Sequence, residues 1–555
     1  MGWGEEIAEQ DERVRRAGLE IWLGAEPTFT LRESQDPPWL WQAEGGDKEM
    51  RAAALLADLA PRLGAARLQR APGRHFPEEP APRFCLGALL RRGPPAPAAG
   101  GLDGPPLPAP APGPDERWLT VTPDPGVVEV NLAPSPDLAT FAADAQACYR
   151  AAAAAGLSPV RFRYNGQVSD SGGGGQLTLG GPSPEASPFF RRPQLLPRLV
   201  RYLHHHPSLS YAFSPDCAGS AGQGPRPDEG VREIFDELPV ALDRLAARGD
   251  DLSPAELWSA LAPMLVDPSG NSHRAELNVE KLWNPHLPGR GMLGLVELRA
   301  LRMPGTPARL TAVAALFRAL AARLATRPFE EPLRDWGRTL HDRAALPFFL
   351  ARDLVGVLQD LDHQGFGLGP LLSDELTAEE APLALVPLGG ARLELRPALE
   401  FWPLQGDVAS QERSTARLVD ASSARLELRL DTGGGEVGRL SAGGWELPLQ
   451  QVARGLHLAA VRWRTFAPSP GLHPGLPAHD PLRLCWERGG EAREVLLHGW
   501  RPQGGGYDGL PADGAEAARR RAERVQVRSL PPPAVQRAPP GPALTLDLRR
   551  LPLAS

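Results

Sequence analysis

The chain has 555 residues, with 67 acidic and 60 basic side chains and a net charge of −7. That length supports roughly two to four domains, and the acidic balance excludes a basic surface for nucleic acid. Four scattered cysteines without a CxxC pair argue against structural zinc or a disulfide scaffold. They fit a reducing cytoplasm, and no apolar run is long enough to span a bilayer.

Residues 1–19 read as a short polar helix leading into a strand at 19–23. Residues 48–64 carry helical periodicity. Residues 92–115 are almost all Pro, Gly and Ala and read as a solvated, partly polyproline loop within a domain. Residues 127–132 alternate as a strand, with Val128, Val130 and Leu132 on one face and Glu129 and Asn131 on the other. Asp137 is placed to cap an Ala-rich helix that Gly156 terminates. Residues 170–176 form a glycine-rich turn. Ser253 and Glu256 have capping-box spacing, which predicts a helix to about residue 265. Residues 273–280 read as a strand with Arg274, Glu276, Asn278 and Glu280 opposite Ala275, Leu277 and Val279. In 293–299, Glu297 and Arg299 share a face. Residues 309–326 predict an amphipathic helix. Beyond about residue 375, short alternating runs separated by Gly and Pro predict strands, and 511–528 reads as a helix. The proline-rich tail from Pro531 reads as loosely ordered.

These elements predict an α+β fold. The expected divisions are a helical lead-in (1–19), a main domain (20–375), a β-rich domain ending in a helix (376–528) and a proline-rich tail (529–555). A sheet face of carboxylates is costly if it is enclosed, because buried charges need partners. Oxygen ligands of this kind suit magnesium or manganese. Glu129, Glu276 and Glu297 form the core of that case, and Glu26 is a fourth member. The bland alternative is solvated strand faces linked by Glu–Arg pairs. Arg274, Arg299, Arg191 and Arg192 can clamp phosphate or carboxylate bidentately, or simply neutralise the glutamates. Gly173 and Gly174 could let backbone N–H groups approach phosphate, but the loop lacks the Lys-Ser/Thr of a P-loop and the spacing of a dinucleotide fingerprint, and taken alone it reads as a flexible turn. His273 adjoins the acidic strand and is a ligand candidate. The run from His204 to His206 reads as structural. Cys217 has no placed base to make it a nucleophile.

Several segments together resemble a known family. They are GAEPTF (24–29), VTPDPGVVEVNLAP (121–134), LGGPSPEASPFFRRPQLL (179–196), HHPSLSYAFS (205–214), LVDPSGNSHRAELNVEKLWNP (265–285), GMLGLVELRALRMP (291–304), WGRTLHDRAALP (336–347), LELRPALEFW (393–402) and LHPGLPAHDPL (472–482). They run in order from about residue 20 to 525 and resemble an amidoligase family of long bacterial proteins, related to glutamine synthetase and glutamate–cysteine ligase. The resemblance implies a glutamine-synthetase-like antiparallel sheet with helices on one face. It also implies ATP- and Mg2+- (or Mn2+-) dependent joining of a carboxylate to an amine, on a peptide, amino acid or protein. By position, Glu26, Glu129, Glu276, Glu297 and His273 become metal-ligand candidates. Gly173, Gly174, Gln176, Arg191 and Arg192 become nucleotide candidates, and Arg274 and Arg299 catalytic clamps. The family's glycine-rich segment ends Gly-Gly-Asn-His, and here Gln176 stands where the histidine is expected. Gln keeps a carbonyl oxygen but has no acid–base capacity. Family members usually carry a transglutaminase-like domain, which is not expected here and is a candidate separate partner. The alternative function is a catalytically degenerate scaffold that binds peptide or nucleotide. No nucleic-acid or membrane partner is expected.

Overall fold

Alternation in Trp22–Phe29 (β1) turns Leu23, Ala25 and Phe29 into a buried apolar face. Gly24, Glu26 and Thr28 are left on the opposite face. The computed structural model describes residues 2–32, 46–73, 84–91, 99–102, 106, 116–124, 126–286, 291–407, 417–467, 475–538 and 543–552. Within these, β1 is central to a nine-stranded sheet. Its other members are Ala65–Pro72 (β2), Phe84–Arg91 (β3), Ala99–Gly101 (β4), Glu116–Asp124 (β5) and Val127–Asn131 (β6). A separate hairpin, Val160–Phe162 (β7) and Val168–Asp170 (β8), precedes Gly175–Gly180 (β9), Leu277–Asn278 (β10) and Val296–Leu298 (β11). The order across the sheet is β10-β11-β9-β1-β6-β5-β3-β2-β4. Among the described residues every pairing in it is antiparallel except β2–β4. The fold class is thus α+β, as the alternating segments predict.

Helices cover the apolar face: Trp3–Arg16 (α1), Gly46–Arg62 (α2) and Leu138–Ala154 (α3) contribute to one core with Leu177, Leu179, Val296 and Leu298. The Asp137 side chain accepts from Thr140 N at 2.7 Å, and Gly156 closes the helix at φ +73°. Pro188–Arg191 (α4), Leu195–His205 (α5), Pro207–Tyr211 (α6), Arg232–Arg248 (α7) and Pro254–Leu261 (α8) follow. Pro307–Thr326 (α9) is buried on every side from Leu310 to Ala325, not along one stripe. It passes between other helices and the sheet, so its arginines are also buried. Arg318 pairs with Asp11, and Asp11 also accepts from Leu138 N and Ala139 N at 2.8 and 3.1 Å. One carboxylate therefore ties α1, α3 and α9 together.

A second core begins near residue 384. Ala384–Pro387, Arg392–Pro397, Ser423–Asp431, Leu456–Arg464 and Gln450–Ala453 make one sheet. Trp445–Glu446, Arg439–Ala442, Leu482–Arg488, Glu491–Leu497 and Val525–Leu530 make another. Leu393, Leu428, Val461, Leu484, Trp486 and Val495 pack between them. The two halves meet at the β7–β8 turn, where Arg520 donates to Tyr164 O at 2.8 Å, and around Leu346, which packs with Leu458, Ala460 and Leu544.

Four expectations are corrected. Residues 273–280 pair as a strand only at Leu277–Asn278, because Asp267 accepts from Ser269 N and Asn271 N and holds the preceding segment in a turn. In place of one helix over 511–528 there is a helix at Gly514–Glu523 and then the strand Val525–Leu530. The tail is not loose: Thr545–Asp547 lies parallel to Leu456–Arg464. In the loop expected at 92–115, β4 joins the sheet, and most of the rest lies outside the described residues. No described helix is long and apolar enough to cross a membrane.

Candidate functional site

Register on the side of the sheet facing away from α1, α2 and α3 brings the acidic positions into one row. Across β1 and β9, Glu26 faces Gln176. Across β9, β11 and β10, Thr178 faces Glu297, and Glu297 faces Asn278. Across β1 and β6, Thr28 faces Glu129. Directly opposed residues share a face, so Asn278, Glu297, Thr178, Gln176, Glu26, Thr28 and Glu129 line one surface. It is not a solvated surface. Glu297 is fully buried, Gln176, Thr178 and Asn278 are buried, and Glu26 and Glu129 are half-buried.

Three carboxylates in that setting require compensation. The Lys281 ammonium donates to Glu26 and, at 3.2 Å, to Glu297 Oε1. Arg299 Nη1 donates to the same Oε1 at 3.0 Å. Asn131 Nδ2 donates to Glu129 Oε1 at 2.9 Å. Burial, with Glu297 nearby, pushes the Glu26 carboxyl up to about 7. Burial also raises Glu129. Burial acts to raise Glu297 as well, but Arg299 and Lys281 outweigh it and hold Glu297 below the ordinary carboxylate range. Two buried oxygens, Glu297 Oε2 and Gln176 Oε1, have no N–H donor among the described residues, and the Glu26 carboxyl, when protonated, is a donor to Glu297. Buried oxygens that no N–H reaches, on a carboxylate-rich surface, have the chemistry of ligands for a hard cation. No group of three or more acidic, His or Cys side chains among the described residues is drawn together at ligating range.

The glycine loop is built from close packing. Thr28 Oγ1 donates to Gly174 O at 2.5 Å, and Gly172 and Gly174 have φ of +94° and +88°. A Cβ on Gly173 would fall 2.8 Å from Val127 Cγ2, and one on Gly175 2.8 Å from Arg302 O. The Gly173 N–H is turned inward to Ser171 Oγ at 3.4 Å. Gln176 Nε2 donates to Gly173 O at 3.4 Å and to Gln223 Oε1 at 3.3 Å. The glycines therefore let the loop pack against Thr28 and Val127 and set Gln176 beside Glu26.

The remaining candidates lie in other surroundings. Glu276 is in a separate buried cluster. Its Oε2 accepts from Ser210 Oγ at 2.6 Å, and Ser210 accepts from Arg226 at 3.0 Å. Arg226 pairs with Asp228 at 2.9 Å. The early end of the strand is the reason: period-two alternation does not extend back from Asn278 to Glu276. His273 is exposed and sits 3.3 Å from Glu280. Arg274 is half-buried in the turn that precedes β10. Arg191 and Arg192 are exposed. They line a cavity of ≈620 Å³ with Arg15, Glu20 and Arg318, beside the N-terminal end of β1. His204 is buried, 3.2 Å from Asp228 and stacked on Phe235. The Cys217 thiol is pushed by burial up to about 11, which leaves it protonated near neutrality.

Sequence reasoning passed over Lys281, which touches two of the carboxylates. The available signal was its rarity, since Lys48 and Lys281 are the two lysines of the chain. Thr28 and Thr178 were also missed, because only strand register identifies them, and Asn278 was placed on the polar face of its segment without being named as a site residue.

No curated protein matches the chain. A family model described as "Putative amidoligase enzyme (DUF2126)" matches residues 4–96 and 108–549. That match takes in β1, β6, β9, β10 and β11 with their carboxylates, and it extends through both cores. On that coverage the chain belongs to this amidoligase family.

Proposed function

We propose that the chain is an ATP-dependent amidoligase using magnesium or manganese, with a glutamine-synthetase-like sheet. It would join a carboxylate of a peptide, amino acid or protein to an amine. The substrate carboxylate takes the γ-phosphoryl group and releases ADP. The amine then attacks the acyl phosphate, forming the amide and releasing phosphate. The observation that carries this reading is the row of Glu26, Glu129 and Glu297 on one sheet face, with buried oxygens on Glu297 and Gln176 that no N–H reaches among the described residues. By donor type those residues suit a divalent cation, and Glu129, Glu297, Gln176 and Glu26 would hold it once drawn together. When bound, such an ion screens phosphate charge, which is much of what phosphoryl transfer requires. Arg299, fixed through Nη1 to Glu297, keeps a buried Nε without an acceptor among the described residues. It is a donor for phosphate or carboxylate. This reading places the reaction in the cytoplasm, with a separate transglutaminase-like protein as candidate partner.

A second reading is favoured by Gln176, which is buried beside Glu26 and cannot exchange a proton. In it, the chain is a degenerate ligase that binds nucleotide without turnover. The deciding experiment is ADP release with magnesium across mixed amino acids and peptides, for wild type, Glu129→Gln and Glu297→Gln. Ligase activity predicts substrate-dependent release that falls roughly 100-fold or more in both variants. Binding without turnover, restored by Gln176→His, supports the degenerate form. Absence of both binding and turnover removes the nucleotide site altogether.

A further inference from the structure

The chain contains 60 lysine and arginine residues, of which two are lysines. Arginine does the ordinary buried pairing: Arg299 with Glu297, Arg226 with Asp228, Arg318 with Asp11. Charge compensation alone therefore does not account for a lysine at 281. An ammonium differs from a guanidinium in being a compact, strongly hydrated point charge on a flexible stem, able to leave a site without breaking a planar fork of bonds. Lys281 has the geometry for such movement. Its side chain is 30 % exposed, whereas Glu297, which it touches, is 0 % exposed. The stem thus reaches inward from the rim. Its backbone is fixed, since Lys281 O accepts from Leu295 N at 3.2 Å. Withdrawal of the ammonium needs only side-chain rotation.

Two cations cannot comfortably share the space between Glu26 and Glu297, because like charges at short range oppose each other. We propose that Lys281 is a resident counter-ion of the carboxylate row, which holds the place of a divalent cation and swings to the rim when that cation enters. The inference rests on the metal-binding part of the proposed function. It makes ion binding an exchange of one cation for another, with Glu297 and Gln176 as the oxygens that remain to receive the incoming ion.

The test uses the full chain with Mn2+ alone. The two lysines are labelled with an amine-reactive ester near neutral pH, and each is quantified by peptide mass spectrometry. Mn2+ is expected to raise labelling of Lys281 several-fold and leave Lys48 unchanged. In parallel, paramagnetic resonance of free Mn2+ reports affinity, and Lys281→Met is expected to bind roughly ten-fold more tightly than wild type. Mn2+ binding with no change in Lys281 labelling overturns the exchange and leaves the ligase reading in place. Unchanged or weaker Mn2+ affinity in Lys281→Met does the same. Absence of Mn2+ binding in both proteins overturns the exchange and the metal reading together. If Lys281→Met does not fold, labelling of the wild type decides alone.

Discussion

Glu276 shows how one side chain sets a pH dependence. Burial pushes its carboxyl up to about 7, against the opposing pull of Arg226 and the hydrogen bond from Ser210. The folded protein therefore holds this proton more tightly than the unfolded chain does. The resulting stability is complete below the ordinary carboxylate range and is lost as pH rises through about 7. Glu276→Gln keeps an oxygen for Ser210 and removes the charge. It should make unfolding free energy nearly independent of this group and stabilise the protein on the alkaline side by on the order of 2–3 kcal/mol. Denaturant titrations on either side of neutrality would measure this. A wild type equally stable in both, with no gain in the variant, would mean that Arg226 keeps Glu276 ionised throughout. The same residue marks where the sequence stops being readable. Glu129 and Glu297 reach the shared face because alternation holds along β6 and β11. Glu276 does not, because Asp267 organises a turn whose end the sequence pattern does not reveal.

At the level of elements, the glycine loop before β9 makes the sharpest prediction. A methyl group at Gly175 would lie 2.8 Å from Arg302 O and 2.8 Å from Pro304 Cδ. Neither neighbour is the end of a flexible side chain, so the strand or the 301–304 segment must shift. Gly175→Ala should cost roughly 1–3 kcal/mol and displace Gln176 from Glu26. A lowered melting temperature would report the first effect, and weakened Mn2+ binding the second. An unchanged melting temperature would show that the loop yields easily. Helix starts were readable from local chemistry, as the Asp137 and Ser253 caps show, because capping depends on a few neighbouring residues, whereas the helix capped by Ser253 ends at Leu261 and not near residue 265. Two- and three-residue strands such as β10 and β11 were over-extended. Their lengths depend on partners far away in the chain, not on their own alternation.

For the whole molecule, composition misled at the C-terminal end. Proline between 531 and 541 suggests a tail without structure, yet Asp342 accepts from Leu544 N at 2.9 Å and Thr545 N at 2.8 Å. Arg425 also donates to Thr545 Oγ1 at 2.7 Å. Removing residues 543–555 should leave buried Arg425 short of an acceptor and lower the melting temperature of the second core by several degrees. A truncated chain that melts like the full one would show that this strand is dispensable. The nine-stranded order has a separate consequence for how the molecule is made. Glu26 and Glu129 belong to strands that can pair within the first 131 residues, whereas Glu297 enters that sheet, and the Lys281 side chain reaches it, from far downstream. Closing so long a loop is slow compared with local pairing. During synthesis, the earlier carboxylates therefore stand on an open sheet face, hydrated. They lose that water only when the 277–298 segment docks and brings its own cation with it.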